Sequence, residues 1–211
     1  MAFIPTLRDG AVTIRPIRLR DTRALERELM FNRNWLRRWE ATSPIGPASF
    51  DVRTSIRNLL AHAREGFGLP FLIEYEGGLA GQLNVSGISY GSLSSATIGY
   101  WVGEQFAGKN ITPTAVALAT DHCFFTMGLH RMEICIRPEN EPSLRVVEKL
   151  GFRYEGLRRR YIHINGDWRD HFCFALTVED VPQGVLRRWQ AGQVPAGEGT
   201  VPEADRRLAL G

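Results

Sequence analysis

The run Gln105-Phe106-Ala107-Gly108-Lys109-Asn110 leads straight into Ile111, where a helical pattern begins with Ile111, Ala115, Leu118 and Phe125 on one face. A loop with a central glycine that opens a helix leaves backbone N–H groups unpaired and turns the positive end of the helix dipole toward its mouth. Such a loop suits an anion. A second run, Pro138-Glu139-Asn140-Glu141-Pro142-Ser143, places Asn140 as the cap of a helix whose early Pro142 has no N–H to leave unbonded. The Ser143 hydroxyl at that helix start reads, on residue type alone, as a helix-terminus group that bonds backbone. In a third run, Asn32 to Glu40, Trp35 and Trp39 lie four apart on one helical face with the Glu40 carboxylate next to them. They read as core, or as the wall of a groove. His122 falls on the apolar face of the helix from Ile111 and reads as a satisfied core residue. His130, His163 and His171 have no ligand spacing, so no metal site is expected.

Alternating patterns supply the elements that must position these residues. Ala96 to Val102 has period two, with Ile98, Tyr100 and Val102 on one face and Thr97, Gly99 and Trp101 on the other, and it stops at Gly103. Met132 to Ile136 is a second such strand, and the helix after Asn140 closes at Gly151. Upstream, Val12 to Ile17 is a strand whose Pro16 suggests an edge, and Asp21 caps a helix through Leu25 and Leu29. Ser49 or Asp51 caps another that runs to about Arg64. Leu69 to Tyr75 and Leu79 to Ser86 are strands joined at Glu76-Gly77-Gly78, and Asn165-Gly166 turns a further hairpin. Past Trp189 the composition shifts to Gly, Pro, Ala, Glu and Arg. Residues 1–190 are therefore expected to form a single domain and 191–211 a flexible tail.

At 211 residues the chain has room for one sizeable core and little more. Cys123, Cys135 and Cys173 are odd in number, far apart and set among apolar neighbours, which suits reduced core thiols better than disulfides. There is no signal-peptide pattern and no apolar run of the roughly 20 residues needed to cross a bilayer, so a cytoplasmic protein without a membrane partner is expected. Basic residues number 26 and acidic ones 23, a net charge of only +3. That is weak for a nucleic-acid binder. The cluster Arg158-Arg159-Arg160 serves equally for an anionic cofactor, an acidic protein surface or RNA, or simply faces water.

The glycine loop with its flanking strand and helix, Asn140, Ser143 and Lys149-Leu150-Gly151-Phe152 together resemble the GCN5-related N-acetyltransferase (GNAT) family. That family's pyrophosphate signature is Q/R-x-x-G-x-G/A. Here it reads Gln105, Gly108 and Asn110, and Asn tolerates a left-handed backbone better than most residues. Gly151-Phe152 followed by Glu155-Gly156-Leu157, then Asn165-Gly166 followed by Trp168-Arg169-Asp170-His171, narrow the resemblance to the RimJ/RimL branch of ribosomal-protein-alanine N-acetyltransferases. It lies nearest the RimJ members and spans residues 10 to 188.

The resemblance implies an α/β (α+β) fold: a mixed, mostly antiparallel seven-stranded sheet with helices on both faces and a splayed central strand pair. It also implies acetyl-CoA as co-substrate, with no metal. The family would bind it through Trp101, Val102 and Gly103 at the strand end, through Gln105, Phe106, Ala107, Gly108, Lys109, Asn110 and Ile111 at the loop, and through Asn140 and Ser143. Many members meet the leaving thiolate with a tyrosine four residues before the Gly-Phe pair, which is Val147 here, so the resemblance gives that role to Ser143. Trp35, Trp39, Glu40 and Tyr161 fall where the family builds its acceptor side. RimL-like members carry a hairpin carboxylate that Arg160-Tyr161 replaces here. Glu40 remains as the candidate base, with Asp170 behind it.

An α-amine with a reference pKa of about 7.7 to 8.0 is roughly a tenth to a fifth neutral at pH 7, whereas lysine, near 10.4, is almost wholly charged. A weak base is enough for an N-terminal acceptor. The expected activity is acetyl transfer from acetyl-CoA to the N-terminal α-amine of a protein, in particular an N-terminal Ala of a ribosomal protein, by a monomer or homodimer. One alternative is a polyamine or antibiotic acetyltransferase, which would want several carboxylates in its cleft. The other is a ribosome- or RNA-binding factor that keeps the fold.

Overall fold

The computed structural model describes residues 4–46 and 51–210. Its strands are β1 (Leu7–Asp9), β2 (Val12–Pro16), β3 (Gly68–Tyr75), β4 (Gly78–Ser89), β5 (Ser95–Val102), β6 (Arg131–Ile136), β7 (Arg153–Ile164) and β8 (Asp167–Thr177). They form one sheet in the order β1-β2-β3-β4-β5-β6-β8-β7, antiparallel everywhere except between β5 and β6. The described strands number eight rather than the expected seven, because Gly10, at φ 53°, turns the chain so that Leu7–Asp9 pairs with Val12–Ile14. The helices are α1 (Thr22–Phe31), α2 (Arg33–Leu36), α3 (Val52–Arg64), α4 (Ile111–Phe125), α5 (Glu141–Leu150), α6 (Val185–Gln190) and α7 (Glu203–Leu210).

Strand β3 shows why the sheet is covered on both faces: Phe71, Leu72 and Ile73 are all fully buried, although alternate residues point in opposite directions. Leu72 packs with Ile17, Leu25 of α1 and Val52 and Ile56 of α3. Phe71 and Ile73 belong to the larger core with Ile111, Ala115 and Val116 of α4 and Leu144 and Val147 of α5. The caps follow the residue types. Asp51 accepts from Arg53 N and Thr54 N at the start of α3, while Ser49, the alternative cap, lies outside the described residues. Gly151, at φ 68°, ends α5.

Two expectations give way. Helix α4 is buried almost all round, through Val116, Ala117, Ala119, Thr120 and Cys123 as well as Ile111 and Ala115, while Phe125 is exposed. A helix wedged between a sheet and two further helices has no single apolar stripe, so the predicted face was only partly right. Residues 191–210 pack instead of trailing. Tyr154 N donates to Glu198 O at 2.8 Å, the Tyr154 hydroxyl donates to Asp205 at 2.7 Å, and Val201 is buried. The outer edge of β7, the last strand of the sheet, gives this polar segment backbone to bond. Among the described residues no helix is long and apolar enough to cross a membrane.

Candidate active site at the strand splay

Strands β5 and β6 pair only where Ser95, Ala96 and Thr97 meet Arg131, Met132 and Glu133. Beyond that point Ile98–Val102 stays with β4 and the rest of β6 with β8, so the two central strands part. Three hydrogen bonds fix the free end of β5: Gly103 N to Ala80 O at 2.9 Å, Glu104 N to Asn32 Oδ1 at 2.8 Å, and Trp35 Nε1 to Val102 O at 3.1 Å. The Gly103 N–H is thus taken up by the sheet rather than left facing the gap.

The loop after it presents backbone, because its longer side chains are turned aside. Gln105 Nε2 donates to Glu28 at 3.2 Å, and the Lys109 ammonium sits over the rings of Tyr75 and Phe106 at 5.7 and 5.9 Å. Ile111 is buried, so only its main chain is available to a ligand. Gly108 and Asn110 hold left-handed angles, φ 78° and 58°. Asn110 thus adopts the conformation its residue type allows, and Lys149 Nζ donates to its side-chain oxygen at 2.6 Å. A Cβ on Gly108 would meet nothing within 4 Å. The loop is therefore open there, and it is the backbone angle that asks for glycine. Open backbone at the start of the 15-residue α4 fits a pyrophosphate.

On the α1 and α3 face of the sheet, a cleft of about 1340 Å³ meets the same stretch of β5. Gln82, Asn84, Gly99, Tyr100 and Trp101 line it from the sheet, Leu25 and Leu29 from α1, and His163 and Gly166 from the β7–β8 hairpin. The hairpin is tied down by Thr42, whose N donates to His163 O at 2.8 Å and whose side chain and carbonyl lie 2.8 and 3.1 Å from His163 Nδ1. Trp39 and Glu40 line the cleft, Trp39 between the Arg38 and Arg137 guanidiniums at 4.8 and 5.4 Å and Glu40 ion-paired with Arg33. Trp35 does not line it. Helix α2 ends at Leu36, so the two Trp share no helical face and Trp35 turns to the end of β5 instead. Tyr161 also lies off the cleft, edge-on to His171 at 5.8 Å and beneath Arg158 at 5.0 Å. A bulge between Arg158 and Ile162 shifts the β7 register there, and Asp170 is occupied in accepting from Arg160 N at 2.7 Å.

At the start of α5, Asn140 accepts from Ser143 N at 3.3 Å as the cap. The Ser143 hydroxyl bonds no backbone; it donates to the Tyr100 hydroxyl at 2.9 Å. Burial pushes the Tyr100 phenol above its ordinary range, more than the Ser143 bond lowers it. Sequence reasoning passed over Tyr100, because it alternates with Ile98 and Val102 and so reads as core. It also passed over Gln82 and Asn84, although two amides in an apolar strand were a usable signal. Gln82 Nε2 donates to Asn84 Oδ1 at 3.2 Å, and Gln82 is buried. Nothing local marked Asn32 or His163. Among the described residues no three His, Cys, Asp or Glu are grouped to hold a metal.

A family model described as an acetyltransferase (GNAT) domain matches residues 11–153, more than half of the chain, including the splay, the loop and the Asn140–Ser143 helix start. The chain belongs to the GNAT acetyltransferase family. Within that family it is 28% identical over 176 residues to the ribosomal protein uS5-alanine N-acetyltransferase of Escherichia coli, covering 82% of this chain and 91% of that protein. It is 40% identical over 105 residues to the Probable N-acetyltransferase YjcK of Bacillus subtilis, an alignment that spans 50% of this chain and 58% of the relative. The structure of Mycobacterium smegmatis RimJ in complex with CoA-disulfide superposes with a TM-score of 0.81 at 39% identity, covering 89% of this chain and 93% of that one. The fold is accordingly the GNAT fold, with the mixed sheet and parted central strands described above. The GNAT match stops at residue 153, ahead of the hairpin that carries His163 and Gly166.

Proposed function

We propose that the protein is an N-terminal acetyltransferase that moves the acetyl group of acetyl-CoA to the α-amine of a protein, in particular a ribosomal protein that begins with Ala, and that it works in the cytoplasm. One observation carries this. A glycine loop that opens α4 follows the end of β5, and a large cleft meets the same strand at Gly99, Tyr100 and Trp101, in a chain similar over most of its length to an enzyme named for the alanine of ribosomal protein uS5.

The backbone of Gly108–Asn110 and the start of α4 would hold the pyrophosphate, and the β5 edge at Trp101 and Val102 would align the pantetheine. Bound there, acetyl-CoA supplies an activated thioester. The amine would enter from the cleft between Gln82, Asn84 and His163. His163 Nδ1 lies 2.8 Å from the Thr42 hydroxyl and 3.1 Å from its carbonyl; in the tautomer that donates Nδ1–H to that carbonyl, Nε2 would be the nitrogen that takes a proton from the amine. Glu40 is tied to Arg33 at the rim. Ser143 would face the departing sulfur. Of the cleft's carboxylates, Glu26 and Glu40, one is thus neutralised, which suits one terminal amine better than a polyamine. Arg158 is engaged by Glu133 at 3.2 Å and by Tyr161, which weakens the RNA reading.

Calorimetry with acetyl-CoA and mass spectrometry of three peptides test the proposal: one beginning with Ala, the same peptide with its α-amine blocked, and one offering only an internal lysine. Acetylation of the first alone is expected. His163→Ala should lower kcat by roughly tenfold, less than the usual hundredfold or more of a general base because the amine is already partly neutral. Acetyl groups on internal lysines or on spermidine would overturn the protein-terminus reading.

A further inference from the structure

The hydroxyls of Tyr100 and Ser143, 2.9 Å apart, come from opposite sides of the splay. Tyr100 lies on β5 beyond its last pairing with β6, and Ser143 lies at the start of the helix that follows β6. Among the described residues neither hydroxyl has another hydrogen-bond partner. Tyr100 also lines the cleft, so this one bond joins the acceptor side of the site to the helix start. Because burial raises its phenol, Tyr100 keeps its proton at neutral pH and always has one to donate.

With the site at rest, the Ser143 proton is taken up by the phenol oxygen. Acetyl transfer changes the demand on that proton. The nitrogen–carbon bond forms, the carbon–sulfur bond breaks and its electron pair stays on sulfur. The proton lost by nitrogen balances the one the thiol finally carries. While the sulfur is negative it needs a donor, and a hydroxyl can rotate to become one. We propose that Tyr100 is a positioning residue for this step: as charge develops on sulfur the hydrogen bond reverses, Tyr100 donates to Ser143 Oγ, and the Ser143 proton turns to the sulfur. This rests on the role given to Ser143 above.

A double-mutant cycle tests it. Tyr100→Phe keeps the ring and removes the donor, so kcat should fall about three- to tenfold, the scale of one hydrogen bond, with the KM for acetyl-CoA unchanged. In a Ser143→Ala background the same change should have no further effect. If Tyr100→Phe folds poorly by thermal melting, fluorotyrosine at position 100 replaces it. That residue keeps the hydroxyl and strengthens it as a donor, and it should raise kcat by about twofold in the Ser143 protein while leaving the Ser143→Ala protein unchanged. If Ser143→Ala is slow and the Tyr100 changes are silent, or if the two effects multiply, the inference is wrong while Ser143 keeps its role. If Ser143→Ala is as fast as the parent, the role of Ser143 falls and the inference with it.

Discussion

Gly108 and Asn110 hold left-handed backbone, and the proposed phosphate loop would depend on both. Gly108→Asp would add a side chain at an angle that costs about 1 to 3 kcal/mol and set a negative charge against the anion. Acetyl-CoA affinity should fall by roughly a hundredfold or more in calorimetry, about 3 kcal/mol, with the fold retained. Unchanged affinity would mean that the loop is not the site. Asn110→Gly keeps the backbone angle and loses only the Lys149 contact, so its affinity should stay within about threefold of the parent, less than one net hydrogen bond. The tolerance of Asn for this angle was legible in the residue type; its partner 39 positions away was not. The cysteines show the same limit. Cys123 is a buried core thiol as expected, pushed by burial up to about 12. Cys135 is only half-buried, its sulfur 3.0 Å from Cys173 across paired strands and 3.6 Å from Arg158. The hydrogen bond from Cys173, helped by Arg158, holds its thiol below the ordinary range. Iodoacetamide should therefore label Cys135 first, at roughly ten times the rate of Cys123 near pH 7.5. Peptide mapping after partial labelling decides this, and equal labelling of the two would count against it.

Helices α1 and α2 act as a brace on the end of β5, because Asn32, at their junction, is buried and accepts from Glu104 N. Asn32→Ala would leave that N–H without its partner and should cost about 1 to 3 kcal/mol in denaturant unfolding. It should also raise the KM for acetyl-CoA by roughly fivefold, because a loosened β5 end no longer presents the loop in one geometry. Asn34→Ala, on an exposed position of α2, is the control and should do neither. A stable Asn32→Ala protein with an unchanged KM would show that the brace is not needed. The elements themselves were largely legible: alternation marked β5 and β6, Asp51 and Asn140 marked helix starts, and Gly151 a helix stop. The ties between elements were not. Asn32 to Glu104, Trp35 to Val102 and Thr42 to His163 link positions 72, 67 and 121 residues apart. Period and capping tell which face of an element is apolar, but not which distant group its polar face will meet. The cleft is made of such ties, and for that reason Trp35 and Tyr161, expected on the acceptor side, lie off it while Tyr100, Asn84 and His163 line it.

At the scale of the whole molecule, several of the charges on the described residues are arranged in chains of pairs. Arg131 bonds Glu133 and Glu155, Arg153 bonds Glu155 and Asp180, and Arg15 bonds Asp21 and Glu74. Three of these carboxylates are held below their usual range. For Glu155 the Arg131 hydrogen bond is the largest cause. For Asp21 and Asp180 burial alone would raise the value, but Arg15 and the Arg18 N–H in one case, and the Thr177 N–H and hydroxyl with Arg153 in the other, outweigh it. Asp121 goes the other way, raised by burial although Val185 N and Leu186 N donate to it. The signs are opposite. A lowered carboxylate contributes stability that is complete above the unfolded range near 4 and is lost as pH falls through its folded value, whereas Asp121 costs stability once pH rises above that range. The three lowered groups outnumber the raised one, and His122 and His171, held below their ordinary value by burial, cost stability as pH falls below about 6.5, so the melting temperature should decline gently from about pH 6 to 5 and fall steeply below about pH 4. Arg153→Met removes a partner from Glu155 and Asp180 together. Its melting curve should lie below the parent at pH 6 and converge with it as pH falls through the folded values of the two carboxylates. Because Arg153 is 40% exposed, high salt should close part of the gap at pH 6. Two curves that run parallel from pH 6 to pH 3 would show that these pairs do not set the acid limit of the fold.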